Sequence, residues 1–446
     1  MRHKINQILV AALAIAISFA LMANNAMAKV YEHKIPLTEF DNPPEGEMDN
    51  INKIAKAQGK LQTLRYSGVN VKKLRNVHPK AHGCVNASFT VNKDIKKELQ
   101  VGLFSKPGQT FENVKIRFSN ATIEVNSDLS PQKRARSRGM AIQIPDVERI
   151  LGQKVIDVPR QKGTQDFLMI NQPVFLISNV EKYLEITNYQ IEQLENAEKI
   201  KKMPPQEQAK WDPAGRFVSQ PNRFGEAVIA TSIVKTPLSD PLESNYFSAA
   251  PFLLGKDKVM KYRVAPCKKS PEQNNPQNPS DDFLRQAMKK HLTEKEACFD
   301  FLIQVPTISD RDISKDLGLE DATFEWIHRD SQIYSLAGIK IGLAQKFKIP
   351  DAIIPGLPPK GKKGIPYIKV AQITIPKQNF DTRVNDETCE NLELSPWHSL
   401  TEHQPVGGIN RLRNPIYSES AKGRKNQAGQ KNQMSQKNQV THKRLR

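Results

Sequence analysis

Val114-Lys115-Ile116-Arg117-Phe118-Ser119 is the stretch on which the fold turns. Its apolar residues fall at every second position, the period of a strand with one face in a core. Similar alternating or β-rich runs recur at Val85 to Val91, Met140 to Ile144, Val174 to Ile177, Val259 to Val264, Phe299 to Val305, Thr323 to Trp326 and Val370 to Ile375. Irregular polar connections separate them, where a doubly wound α/β domain would need regular helices. A mainly antiparallel sheet, closed as a barrel or stacked as a sandwich, is therefore expected. Two helices interrupt the pattern. Val180, Tyr183, Leu184, Thr187, Ile191 and Leu194 share one helical face, and Phe283, Leu284, Ala287, Met288 and His291 another. The expected class is α+β.

The ends of the chain read differently from this body. Arg2 and Lys4 precede an apolar run from Ile8 to Met22, and Ala26-Met27-Ala28 is a small-x-small cleavage site. This pattern predicts a signal peptide over 1–28 and a mature, soluble chain starting at Lys29, periplasmic or secreted. No later stretch is apolar enough to span a bilayer. The formal charge of +19 invites a nucleic-acid reading until it is located. Eight basic residues and no acid lie from Ala421 onward, and 426–446 is a Lys/Asn/Gln-rich segment that cannot bury a core. It is expected to be a disordered cationic tail, with no specific nucleic-acid partner. Of the four cysteines, Cys267 and Cys298 are the expected disulfide pair, and Cys84 reads as a buried small hydrophobe. No cysteine spacing resembles a zinc site.

Near the C terminus, Arg413 and Tyr417 stand four residues apart, on one face of a helix. A free phenol titrates near ~10, and a fixed guanidinium beside it favours the phenolate, a competent iron ligand. Taken alone, the pair is more often an exposed Arg beside a half-buried Tyr. Its weight comes from what precedes it. Arg75-Asn76-Val77-His78-Pro79-Lys80-Ala81-His82-Gly83 comes immediately before a strand, then Arg117-Phe118-Ser119, then Ser137-Arg138-Gly139-Met140-Ala141, then Asn171-Gln172-Pro173-Val174-Phe175. His78 and His82 could be i, i+4 metal ligands, but Pro79 and Gly83 disfavour a helix through them and no carboxylate completes a triad.

This order resembles the monofunctional haem catalases and their smaller catalase-related relatives. Leu319 to Ala322, Ile373 to Gln378, Pro396-Trp397-His398 and Glu402 to Pro405 look like the shorter branch in particular. The resemblance implies an antiparallel β-barrel wrapped by helices, with haem b buried beside it and without the family's C-terminal helical domain. It divides the chain into a signal at 1–28, an N-terminal arm at 29–70, a haem-binding domain at 71–425 and the tail at 426–446.

Carried over, Tyr417 is implied as the proximal iron ligand and Arg413 as its charge partner. His78 is implied on the opposite side, moving a proton between the two oxygens of a peroxide, with Ser119 fixing its ring. Arg75, Arg117 and Arg424 match the arginines that hold the haem propionates. Val77 resembles true catalases at a position where allene-oxide-synthase-like relatives tend to carry Thr. Three departures stand out. The position of the family's distal Asn aligns with Ile170, leaving Asn171 as the nearest amide. Tyr183 corresponds to a Phe that lines the distal haem face, and Pro415 requires the helix to begin nearby. About thirty residues around Arg329 to Gly361 read as an insertion.

The expected function is an exported haem-dependent catalase or peroxidase acting on hydrogen peroxide or organic peroxides, with an organic electron donor as a second partner and oligomerisation open. A fatty-acid hydroperoxide isomerase and a non-catalytic haem-binding protein are the alternatives. A fourth reading makes the tail an envelope or nucleic-acid anchor.

Overall fold

In the computed structural model, which describes residues 35–66, 74–123, 125, 127–129, 136–268, 270–271, 273–306 and 365–424, the alternating runs become strands. They are β1 (Ala81–Val91), β2 (Thr110–Asn120), β3 (Arg138–Ile144), β4 (Gln165–Ile170), β5 (Tyr246–Phe247), β6 (Phe252–Leu253), β7 (Val259–Pro266), β8 (Ala297–Gln304) and β9 (Ile368–Ile375). Their order is β5-β4-β3-β2-β1-β9-β8-β7-β6, and β5 also pairs with β7, so that eight strands close an antiparallel barrel. Closure removes the exposed edges that an open sheet would present.

Alternation decides what each face of the barrel wall carries. Val114, Ile116 and Phe118 of β2, Met140, Ile142 and Ile144 of β3, and Phe167 and Met169 of β4 enter one apolar core. Its centre is aromatic: the Phe301 ring lies 4.8 Å from Phe167, 5.3 Å from Phe89 and 5.6 Å from Tyr262, centroid to centroid. Burial of each such side chain contributes about 1.5–3 kcal/mol. The intervening residues of β2, β3 and β4 face the other way. Register aligns them in rows, Arg117 with Ala141 and Leu168, then Ser119 with Gly139 and Ile170.

Helices Glu47–Arg65, Val180–Glu195 and 408–424 pack together through Ile51, Ile54, Val180, Leu412 and Ile416. A buried ion cluster ties the first to the last. Arg411 forks onto Glu47, with Nε to Oε1 at 2.6 Å, and also pairs with Asp41. The described residues from Thr38 onward make one compact unit, and among them no helix is long and apolar enough to cross a membrane.

Four expectations need correction. Residues 174–177 form bends, not a strand; β4 ends at Ile170, and Pro173 has no N–H to extend a ladder. Cys84 is not a free thiol. It is bonded to Cys389, 305 residues away, while Cys267 joins Cys298 as expected. Pro415 does not lie near a helix start, because the helix is already formed at residue 408. There it removes the N–H that would bond the carbonyl of Arg411. The aligned pair Asn171 and Tyr183 is corrected below. Residues 1–28, Leu319 to Ala322, Thr323 to Trp326, the 329–361 insertion and the 426–446 tail lie outside the described residues.

Candidate functional site

The outer face of β2, β3 and β4 forms one wall of a cavity of about 1050 Å³, its open mouth included. Val77, Ile170, Phe175, Trp397 and Ile416 make much of the lining apolar.

His78 reaches this cavity from the segment before β1, which the helix Glu47–Arg65 holds in place. Gln62 Nε2 donates to the Leu74 carbonyl at 2.9 Å, Arg65 to the Asn76 carbonyl at 2.9 Å, and Asn76 Nδ2 to the Gln58 carbonyl at 2.9 Å. His78 itself adopts φ 57°, the left-handed region. That conformation costs about 1–2 kcal/mol for a residue with a Cβ and persists only where its surroundings enforce it. Nδ1 of His78 lies 3.0 Å from Ser119 Oγ. Gly139 completes the cradle. A Cβ there would stand 2.3 Å from His78 Nδ1 and 2.9 Å from Ser119 Oγ, so any side chain would evict the imidazole. His78 keeps accessible surface only because it lines the cavity; it is deep in the fold. Burial, followed by the charges of Arg117, Arg413 and Arg75, lowers its pKa to about 3. The ring is neutral at pH 7, and its Nδ1 faces a hydroxyl that can donate to it or accept from it.

A cluster of guanidinium groups borders the same space. Arg75 donates to Glu390 Oε2 at 2.8 Å and to the Leu392 carbonyl at 2.7 Å. Arg117 donates to Glu390 Oε1 at 3.3 Å, and its buried Nε has no hydrogen-bond partner among the described residues. Arg424 contacts the Ser420 carbonyl at 3.4 Å, and Arg160 pairs with Glu393 at 3.6 Å. Burial holds the Arg75 and Arg424 groups below the usual guanidinium range, with Arg117 adding like-charge repulsion to both. Four cations thus share two carboxylates. With Arg413 also in the lining, guanidinium outnumbers carboxylate in a largely desolvated place, which suits a ligand bearing anionic groups.

Tyr417 lines the cavity from the helix 408–424. The Arg413 guanidinium lies over its ring, 5.5 Å from the centroid, and 5.6 Å from that of Phe175, while donating to Asn410 Oδ1 at 3.1 Å. The i, i+4 spacing therefore does bring the two side chains together, but through the face of the ring.

Eight of the ten residues singled out from sequence, Val77 among them, line this one cavity. Asn171 and Tyr183 do not. Asn171 is one step beyond the end of β4, and its Oδ1 accepts from the Arg138 N–H at 2.8 Å, turned away from the cavity; Ile170, in the row with Ser119 and Gly139, takes the place beside His78. Tyr183 packs instead in the cluster behind Tyr417, where burial and then the neighbouring Tyr417 push its phenol up to about 12. Sequence reasoning missed Glu390, Arg160 and Glu393. It used Trp397 and His398 only as markers, yet both line the cavity; Trp397 Nε1 donates to the Asn410 carbonyl at 2.7 Å, and His398 Nδ1 lies 3.1 Å from Asp166.

No protein-family model matches the sequence, and no curated protein matches it. The fold, by contrast, is similar to solved catalases. A fungal catalase superposes with TM-score 0.51 at 14% identity, over 80% of this chain and 60% of that one. Catalase A from Saccharomyces cerevisiae gives 0.50 at 15%, over 80% and 62%. A bacterial catalase gives 0.50 at 14%, over 88% and 63%. This chain spans about three fifths of the length of those catalases. At such identity the likeness defines the fold, an α+β protein with a catalase-like closed barrel.

Proposed function

We propose that this chain is an exported haem-dependent oxidoreductase that acts on peroxides. The observation that carries the reading is a single cavity holding a phenol, a neutral imidazole and more guanidinium than carboxylate groups. The residues present fit haem b. Tyr417 would hold the iron, Arg75, Arg117 and Arg424 the two carboxylates, and the apolar lining the flat ring. Bound there, the haem supplies the redox-active iron needed to reduce an O–O bond. His78 takes a proton from one peroxide oxygen and returns it to the other, which requires the imidazole to be uncharged at the outset. Ser119 and Gly139 hold it in the one orientation the cavity allows.

Ile170 favours a slower peroxidase, or an enzyme for organic peroxides, over rapid dismutation of hydrogen peroxide. The wall beside His78 offers an alkyl group where a second hydrogen-bond donor would help to hold a small polar substrate. The export signal in the sequence and the two disulfides support an oxidising compartment. Oxygen evolution from hydrogen peroxide, measured beside oxidation of a chromogenic donor and product analysis with a lipid hydroperoxide, tests the reading. Donor oxidation exceeding oxygen evolution is expected. A haem-loaded protein inert in both, and giving no rearranged lipid product, leaves the non-catalytic haem-binding alternative.

A further inference from the structure

Glu390 bridges two of the cavity's cations, Arg75 through Oε2 at 2.8 Å and Arg117 through Oε1 at 3.3 Å. The three side chains are 18%, 10% and 3% exposed, so bulk water and salt screen them poorly. Its place is fixed. Glu390 belongs to the helix Arg383–Asn391, and the residue before it, Cys389, is bonded to Cys84 of β1. The carbonyls of Cys389 and Leu392 receive Arg75 NH2 on either side, at 3.3 and 2.7 Å. A helix end pinned covalently to the barrel thus inserts one negative charge among guanidinium groups.

We propose that Glu390 is a built-in counter-ion that competes with the carboxylates of an anionic ligand for Arg75 and Arg117, and so sets how tightly the cavity holds it. This rests on the haem reading above. In the ligand-free protein Glu390 relieves repulsion among Arg75, Arg117 and Arg424, whose mutual proximity is unfavourable. An incoming dicarboxylate meets donors already partly engaged, and gains less than it would from bare guanidinium groups.

Titration of the full-length mature protein with ferric protoporphyrin IX and with its dimethyl ester, followed by absorbance, tests this for the wild type and Glu390→Gln. The amide keeps the shape and removes the charge. Affinity for the dicarboxylate is expected to rise roughly tenfold, the scale of one charge-assisted hydrogen bond, while affinity for the diester stays constant. The melting temperature of ligand-free Glu390→Gln is expected to fall, since Arg75 and Arg117 lose the acid they share. Unchanged or weakened dicarboxylate binding in a folded variant overturns the proposal and leaves the haem reading standing; the latter result makes Glu390 a residue that orients the arginines. Failure of the wild type to bind either porphyrin removes both. Should Glu390→Gln not fold, Glu390→Asp, which withdraws the charge by one methylene, is expected to show a smaller gain in the same direction, and no gain counts against the proposal.

Discussion

The inside of the barrel and the cavity on its outer wall share three strands, β2, β3 and β4, and lie one residue apart along them. Ile116 and Phe118 enter the core; Arg117 and Ser119, their neighbours, enter the cavity. The inner side is aromatic and aliphatic, with Phe89, Phe111, Phe118 and Phe301 fully buried. The outer side collects what folding alone disfavours: a non-glycine residue in left-handed backbone, a neutral buried histidine and more guanidinium than carboxylate. Stability and chemistry are thus divided by the two-residue period of a strand. One side supplies the free energy that the other consumes.

The largest effect is expected from breaking the inner side. Phe301→Ala should cost about 3–5 kcal/mol by urea unfolding, because Phe301 meets Phe89, Phe104, Phe167 and Tyr262 and the space cannot collapse. Porphyrin affinity under folding conditions should be unchanged. A parallel loss of affinity would show that the two sides are not separable.

A smaller effect should come from the outer side and depend on pH. Native His78 stays unprotonated down to about pH 3, whereas an unfolded histidine takes up its proton near ~6.5. Its depressed pKa therefore gives stability that is present above the unfolded value and is lost as pH falls toward the folded one. The loss is at most about 1.4 kcal/mol per pH unit. Between pH 6.5 and 5, His78→Gln should unfold with a shallower pH slope than the wild type. Equal slopes would mean that His78 is protonated in the native state.

Much of this division was legible beforehand, because a period of two and a spacing of four are local geometry. Val114 to Ser119 announced a strand, and Arg413 and Tyr417 a shared helical face. What escaped is mostly non-local. Glu390 lies 315 positions from Arg75 and carries no periodic signal. The partner of Cys84 lies 305 positions away, and nothing between them marks the pairing. The helix Glu47–Arg65 buries Glu47, Gln58 and Gln62 among Ile51, Ile54, Ala55 and Leu61, so its apolar stripe is interrupted by polar residues. The alignment on Pro173 already puts Ile170 at the distal position, and it is Ile170, the last residue of β4, that lines the cavity.

The absorption spectrum of the protein loaded with ferric protoporphyrin IX, before and after Tyr417→Phe, tests the central claim most directly. The account requires a high-spin ferric Soret band in the wild type that is lost or displaced on removal of the phenol oxygen. A band identical in both proteins, or a wild type that stays colourless, would contradict it.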